Sequence, residues 1–418
     1  MIGFAGMTHL GIVSSLAATA KGQSVVAFDP DAALVAGLAG GRFPIDEPGL
    51  DELRRAAGQR IRFTSRAADL ASCDPVYVAP DVPTGDGGDS DLGPVRRLIE
   101  IVGAAAGRST RVLLSQVPPG FTRAIDDPGL YYQVETLVFG RAVERALEPE
   151  RFIVGCADPG RPLPVAYRAF LGAFGCPILT MRYESAELAK IAINCCLAAS
   201  VTVANTLAEL SERVGADWSD IAPTLRLDRR IGPHAYLTPG LGLSGGNIER
   251  DLATVARLAD AAGTDAGAIR AILANSLHRK DWPLLRFGAL SAGRTKDLRV
   301  ALWGLAYKEH THSTKNSPAL AFLAGLGSAA VSAYDPLVRA DPGFHPGIQQ
   351  ACDPLDACQD ADALAILTPW PQFKTVAPQA IAAAMRGRFV LDPYRLLDPA
   401  ACRAAGLEHH VLGAPELP

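Results

Sequence analysis

The chain has 418 residues, 49% of them hydrophobic and 20% charged, with a net charge of −4. That length suits two or three globular domains, and the near-neutral balance gives no electrostatic case for nucleic acid or an anionic membrane as partner. The sequence reads as lacking an apolar run of bilayer length and as entering its first strand at residue 2, which leaves no room for a signal peptide and suits a cytoplasmic protein.

The eight cysteines, Cys73, Cys156, Cys176, Cys195, Cys196, Cys352, Cys358 and Cys402, form no CxxC pair and no metal-ligand grouping. They are read as reduced thiols, and no metal is expected. Residues 2–5 predict a buried strand, Gly6-Met7-Thr8-His9-Leu10-Gly11 a glycine turn, 12–21 a helix and 24–28 a second strand closed by Asp29. This is the βαβ arrangement of a dinucleotide site, with an acid placed for the adenosine ribose hydroxyls. It makes Gly6, Thr8, His9, Leu10, Gly11 and Asp29 candidate cofactor contacts. Thr8 stands where the fingerprint has its second glycine, which predicts a looser or shifted cofactor. Asp29 favours NAD over NADP, because a carboxylate repels a 2′-phosphate.

The α/β alternation continues. Residues 44–50 form a turn leading into a helix, 75–79 a buried strand, 81–92 a loop of turn residues, 93–106 a helix and 111–115 a strand followed by Gln116-Val117-Pro118-Pro119-Gly120. Loops beyond the carboxyl ends of parallel strands line a ligand crevice. Tyr131 to Glu135, a helix, and Pro149 to Gly155 complete this part.

From Glu184 a long apolar helix is predicted to about residue 214. Lys190 and Asn194 lie four apart, hence on one face, amid Leu188, Ile191, Ala192 and Cys195. A lone lysine would snorkel; a lysine–asparagine pair in an apolar run is harder to explain structurally. A long helix between two α/β regions is a plausible dimerisation element. The helices of residues 217–285 surround Thr238-Pro-Gly-Leu-Gly-Leu-Ser-Gly-Gly-Asn-Ile-Glu-Arg-Asp251, a loop whose backbone can approach a ligand closely, or else a bland surface connection.

A second doubly wound sheet is predicted from Lys296: a strand at 298–303 into a turn at Gly304, a polar loop at 310–316, a helix opened by Ser317-Pro318, and strands at 329–334, 363–367 and 389–391. His310 and His312 have no acidic or cysteine partner at useful spacing, so a solvated loop is preferred to a metal site.

Several of these pieces together resemble the nucleotide-sugar dehydrogenases, the family of UDP-glucose 6-dehydrogenase and GDP-mannose 6-dehydrogenase. They are Glu184-Ser-Ala-Glu-Leu-Ala-Lys190 with Asn194, Leu227-Asp-Arg-Arg-Ile-Gly232, the loop ending at Asp251, and Gly304-Leu-Ala-Tyr-Lys308 with Ser317-Pro318-Ala319. Glu47-Pro-Gly-Leu50, Asp91-Leu92 and Ala363-Leu-Ala-Ile-Leu-Thr-Pro-Trp370 are weaker pieces. The resemblance implies two Rossmann-like doubly wound parallel-sheet domains joined by a central helical dimerisation region. An NAD-binding domain would span residues 1–180, a helical and substrate-loop domain 181–292, and a nucleotide-sugar-binding domain 293–418. It implies a homodimer through the helix near Glu184.

It further implies a primary alcohol oxidised twice, through an aldehyde and a cysteine thioester that water hydrolyses with help from a glutamate. Glu135 falls on that glutamate, Lys190, Asn194 and Asp251 on the groups that handle protons and oxyanion, and Arg230 on an arginine reaching the neighbouring subunit's substrate. Tyr236, Gly240, Gly242, Lys308 and Arg395 are the further substrate candidates. Val82, Gln116, Arg250 and Lys315 are the further cofactor candidates, each differing from the family's usual residue.

The departure that bears on function is Asn247, which stands where the family has its nucleophilic cysteine; an amide forms no thioester. The expectation is an NAD-dependent oxidoreductase acting on a nucleotide sugar, a UDP-sugar foremost, by hydride transfer without the thioester step. The rival readings are a redox-neutral epimerase with retained NAD and a non-catalytic nucleotide-sugar-binding relative.

Overall fold

Ile2-Gly3-Phe4-Ala5 carries no polar side chain and is wholly buried, as a strand covered on both faces requires. It is the centre of a sheet whose strands are β1 (Ile2–Ala5), β2 (Val25–Phe28), β3 (Ile61–Thr64), β4 (Val76–Val78), β5 (Arg111–Leu113), β6 (Leu130–Gln133), β7 (Phe152–Cys156) and β8 (Ile178–Arg182). Their order is β3-β2-β1-β4-β5-β6-β7-β8. A second sheet has β9 (Arg299–Trp303), β10 (Ala330–Tyr334), β11 (Ile348–Gln350), β12 (Ala363–Ile366), β13 (Phe389–Leu391) and β14 (Glu408–His410), in the order β11-β10-β9-β12-β13-β14. The computed structural model describes residues 1–83, 85, 90–290 and 298–415. Lys296 and part of the loop predicted over 81–92 therefore lie outside the described residues. The chain divides into two compact units, Met1–Ile193 and Asn194–Pro418, so the central helices share a unit with the second sheet.

The two sheets repeat one design. In each, the order reverses beside the first strand, at β1/β4 and at β9/β12, the switch point where open α/β sheets bind ligands. Gly6 follows β1 with φ +95° and Gly304 follows β9 with φ +92°. Their N–H groups donate to Phe28 O and Tyr334 O at 2.9 and 2.8 Å. A Cβ at Gly6 would stand 2.8 Å from Pro80 N, and one at Gly304 would collide with Thr368, so any side chain is excluded.

Three sequence expectations need correction. The first sheet is parallel as expected except at one pair: β6 and β7 run antiparallel, pairing Tyr132 with Gly155 and Gln133 with Val154. The connection stays at the carboxyl end of the sheet, where Glu47 accepts hydrogen bonds from Gly140 N and Ala142 N, so β7 starts from the end where β6 stops. The first helix starts at His9, not at 12. Gly11 lies inside it, at a point where a Cβ would overlap Gly6 O.

One helix, contrary to expectation, is of bilayer length. The helix Tyr183–Val214 spans 32 residues and contains an 18-residue window of mean hydropathy 1.7, only 28% buried, so by length and composition alone it could cross a membrane. Gly215 stops it with φ +77°, the left-handed conformation that suits a helix C-terminus. Val203, Leu207, Leu210 and Val214, spaced four, three and four apart, are 40 to 65% exposed along one face.

Candidate functional site

The turn after β1 is built around two carboxylates. Asp29, at the end of β2, accepts from Met7 N at 2.7 Å through Oδ2 and from Asp31 N at 2.9 Å through Oδ1. It is 9% exposed and stands where a ribose-binding acid belongs. Together with the backbone-only surface at Gly6, it fits the adenosine half of a dinucleotide. Sequence reasoning missed the second carboxylate, Asp81. The N–H of His9 donates to its Oδ2 at 2.9 Å, and its own N–H donates to the Thr8 hydroxyl at 2.7 Å. The His9 ring is fixed by Glu47 at 2.8 Å and packs on Phe139, ring centroids 4.2 Å apart. Of the other cofactor candidates in this unit, Leu10 is in the core, Val82 packs beside the core and Gln116 is partly exposed.

Glu135 and Lys190 come together as an ion pair, Nζ to Oε1 2.6 Å, with side chains 17% and 11% exposed. The other carboxylate oxygen of Glu135 accepts from Leu137 N at 2.9 Å. Two positions earlier, Gln133 Oε1 accepts from the Tyr77 and Tyr167 hydroxyls at 3.0 and 2.9 Å. Burial pushes both phenols well above their ordinary range, so they remain donors and fix the strand end from which Glu135 projects. The geometry gives a paired acid and base at the carboxyl end of β6.

In the second unit, Asn194 Nδ2 donates to Asp251 Oδ2 at 2.6 Å, and Arg250 Nε lies 3.4 Å from Asp251 Oδ1. Arg250 and Asp251 are 4% and 2% exposed. They belong to a helix, Asn247–Ala262, so the predicted loop ends at Gly246. Its backbone is held on all sides: Gly240 N donates to Asn205 Oδ1 and Leu243 N to Ser276 Oγ, both at 2.8 Å, and Gly245 N to Lys315 O at 3.0 Å. Gly242, Gly245 and Gly246 all have positive φ. A Cβ at Gly242 would collide with Ser276 O, and one at Gly245 would come within 2.6 Å of the Tyr307 ring. The glycines thus serve close packing, and the loop is a fixed cradle. Asn247 is exposed at the first position of the helix it begins. Cys195, next to Asn194, is no substitute nucleophile: burial first, then the charge of Asp251, push its thiol up to about 11, leaving it protonated at neutral pH.

Residues 1–162 match the NAD binding domain of the UDP-glucose/GDP-mannose dehydrogenase family, 184–276 its central domain and 301–399 its UDP binding domain. The chain belongs to the UDP-glucose/GDP-mannose dehydrogenase family. It is an NAD-dependent enzyme of the nucleotide-sugar dehydrogenase type. Among its relatives, UDP-glucose 6-dehydrogenase of Pseudomonas aeruginosa is 30% identical, over 98% of this chain and 96% of that one. A solved UDP-glucose dehydrogenase from Pyrobaculum islandicum superposes with TM-score 0.83 at 25% identity, covering 99% and 98% of the two chains. The UDP-D-ManNAc dehydrogenase of Pyrococcus horikoshii shares the fold, with TM-score 0.84 at 22% identity over the whole of both chains.

Against the dehydrogenase family's pattern, the remaining candidates divide. Lys315 lies along the cradle, its side chain 3.2 Å from where a Cβ of Gly246 would stand. The ammonium of Lys308 lies 5.8 Å from the Tyr307 ring centroid. Arg230 folds back on Asp228, through Nε at 3.0 Å and a terminal nitrogen at 2.7 Å, and its side chain is 89% exposed. Tyr236 is also exposed. Arg395 pairs with Asp217 at 2.7 Å, the residue that caps the helix Trp218–Leu227. Sequence reasoning also missed Asn205, Ser276 and Tyr307, which shape the cradle, and Asp335, which accepts from Leu305 N and Ala306 N at 2.7 and 3.0 Å and repeats in the second sheet what Asp29 does in the first.

Proposed function

We propose that this enzyme oxidises an alcohol of a UDP-sugar by hydride transfer to NAD and stops at the carbonyl, without passing through a thioester. The observation that carries the reading is Asn247, an amide exposed at the head of its helix. Asn247 stands where the resemblance places the nucleophile, and Cys195 is in no state to replace it.

NAD, bound on the first unit, supplies the hydride acceptor. Asp29 would hold its adenosine ribose. Lys190 and Glu135 form an ion pair across 2.6 Å, a base and an acid held together where the proton of the substrate hydroxyl can be taken up as the hydride leaves. Asn194 and Asp251 form a second hydrogen-bonded pair, and the Asn247 amide can donate to a developing carbonyl oxygen. Arg250, Lys315, Val82 and Gln116 are proposed cofactor contacts. Arg230, Tyr236, Gly240, Gly242, Lys308 and Arg395 are proposed substrate contacts. The three-part division at 180/181 and 292/293 is the organisation proposed here, as is a cytoplasmic homodimer. The apolar stripe Val203-Leu207-Leu210-Val214 supports the dimer.

The test is turnover of a panel of UDP-, GDP- and CDP-sugars with NAD, reading NADH absorbance and identifying the sugar product by NMR. The reading expects an aldehyde or ketone and no uronic acid. It expects Asn247→Cys to give at most weak acid formation, since other positions also differ from the family. Uronic acid from the wild-type chain overturns it.

A further inference from the structure

The first turn of a helix presents unsatisfied N–H groups and a partial positive charge, and in a βαβ dinucleotide unit the cofactor's diphosphate docks there. In this chain the helix His9–Ala20 already has an anion at that end. His9 N donates to Asp81 Oδ2 at 2.9 Å, from a residue 72 positions away. Thr8 is the N-cap residue, yet its hydroxyl makes no capping bond to the helix. Instead it accepts from Asp81 N at 2.7 Å and donates to Ala79 O at 3.5 Å. Ser115 Oγ donates to Pro80 O at 2.5 Å and fixes the same loop from the other side. A glycine at position 8 could make neither of the Thr8 bonds. The departure from the fingerprint and the carboxylate at the helix end are therefore one device. Asp81 is exposed as a residue, while burial of its carboxyl against the helix end pushes that group above the usual carboxylate range.

We propose that Asp81 is an internal competitor for the cofactor's diphosphate, an affinity-setting residue that must leave the His9 N–H before NAD can seat. The inference rests on the reading of the first unit as the NAD site. A diphosphate entering beside an undisplaced carboxylate meets a like charge at contact distance, and displacing the carboxylate breaks its bond to His9. Seating the cofactor therefore requires that displacement, and binding is weaker than the bare helix terminus would give. The effect falls on the phosphates and not on the adenosine end, which Asp29 holds separately at the end of β2.

The test is calorimetric titration of NAD, ADP and adenosine into the full chain and into Asp81→Asn and Asp81→Ala, at low salt, with thermal unfolding to establish that each is folded. Asp81→Asn keeps the shape of the side chain if the alanine variant is too unstable to titrate. Both variants are expected to bind NAD and ADP tighter by about tenfold or more, the effect of removing one like charge near a surface-accessible diphosphate. Adenosine, with no phosphate, is expected to be unaffected. Unchanged or weaker NAD binding by the variants, with wild type binding NAD, overturns the competition and leaves the cofactor reading intact. Adenosine tightening in step with NAD overturns it as well. Failure of every form to bind NAD or ADP overturns the cofactor reading and the competition together.

Discussion

The chemistry of this enzyme turns on single atoms. A thiolate at position 247 could hold an aldehyde covalently; an amide can only hydrogen-bond to it. The proposed proton-handling pair is the complementary case. Lys190 and Glu135 are 55 positions apart in sequence yet 2.6 Å apart in space. We expect Lys190→Met to lower kcat by about 10²- to 10⁴-fold, the usual worth of a positioned acid or base, with KM little changed. The same change leaves the Glu135 carboxylate half-enclosed without its cation. The expected destabilisation is about 2–3 kcal/mol, below the range for fully buried pairs, read by urea unfolding. A variant with wild-type kcat would remove Lys190 from the mechanism. Each member of the pair was legible in the sequence through its own motif, but their contact was not, since no local pattern reports a pairing between a strand end and a distant helix. Asp81 was not legible at all: in Ala79-Pro80-Asp81-Val82-Pro83 it is one turn residue among several, and only folding brings it to His9.

At the scale of elements, Glu47 stitches three segments together. It accepts from the His9 ring and from Gly140 N and Ala142 N, with its own residue 4% exposed. Burial alone would raise its carboxyl. The hydrogen bond from His9, those from the two backbone N–H groups and the charge on His9 outweigh it and hold the group below its ordinary value of 4.5. A depressed carboxyl stabilises the fold above its unfolded value and loses that contribution as pH falls through the folded value. Glu47→Gln is expected to cost about 1–3 kcal/mol at pH 7. The difference from wild type should shrink on titration below pH 4.5, measured by urea unfolding at several pH values. A difference independent of pH would show that the charge is not what matters. The weak motif Glu47-Pro-Gly-Leu50 thus has a physical reason that its sequence does not display. The long helix was legible in extent because no glycine or proline interrupts residues 183–214. The start of the first helix was misplaced by three residues because a glycine reads as a turn. Here Gly11 is helical, and what it provides is room for Gly6 O. The Asn247 helix was hidden for the same reason: the glycines before it obscured where the turn ends.

At the scale of the molecule, one design is used twice. Two sheets with the same strand order around β1 and β9 each place a positive-φ glycine and a strand-end aspartate at the switch point. The matches to an NAD binding domain and a UDP binding domain fall on these two sheets. That architecture was largely legible from alternating strands and helices. The antiparallel β6–β7 pair was not, since direction depends on where the connection is tied down. The exposed stripe of the long helix leads to a prediction at this scale: Leu207→Glu with Leu210→Glu should convert a dimer into a monomer by light scattering, with each unit still folded. An unchanged mass would remove the stripe from the interface.

A reaction that ends one oxidation short of the acid fixes the ratio of cofactor reduced to sugar consumed. With a UDP-sugar that turns over, limiting substrate and excess NAD, one NADH is expected for each sugar lost, with a carbonyl product. Two NADH per sugar, with a uronic acid as product, would contradict it.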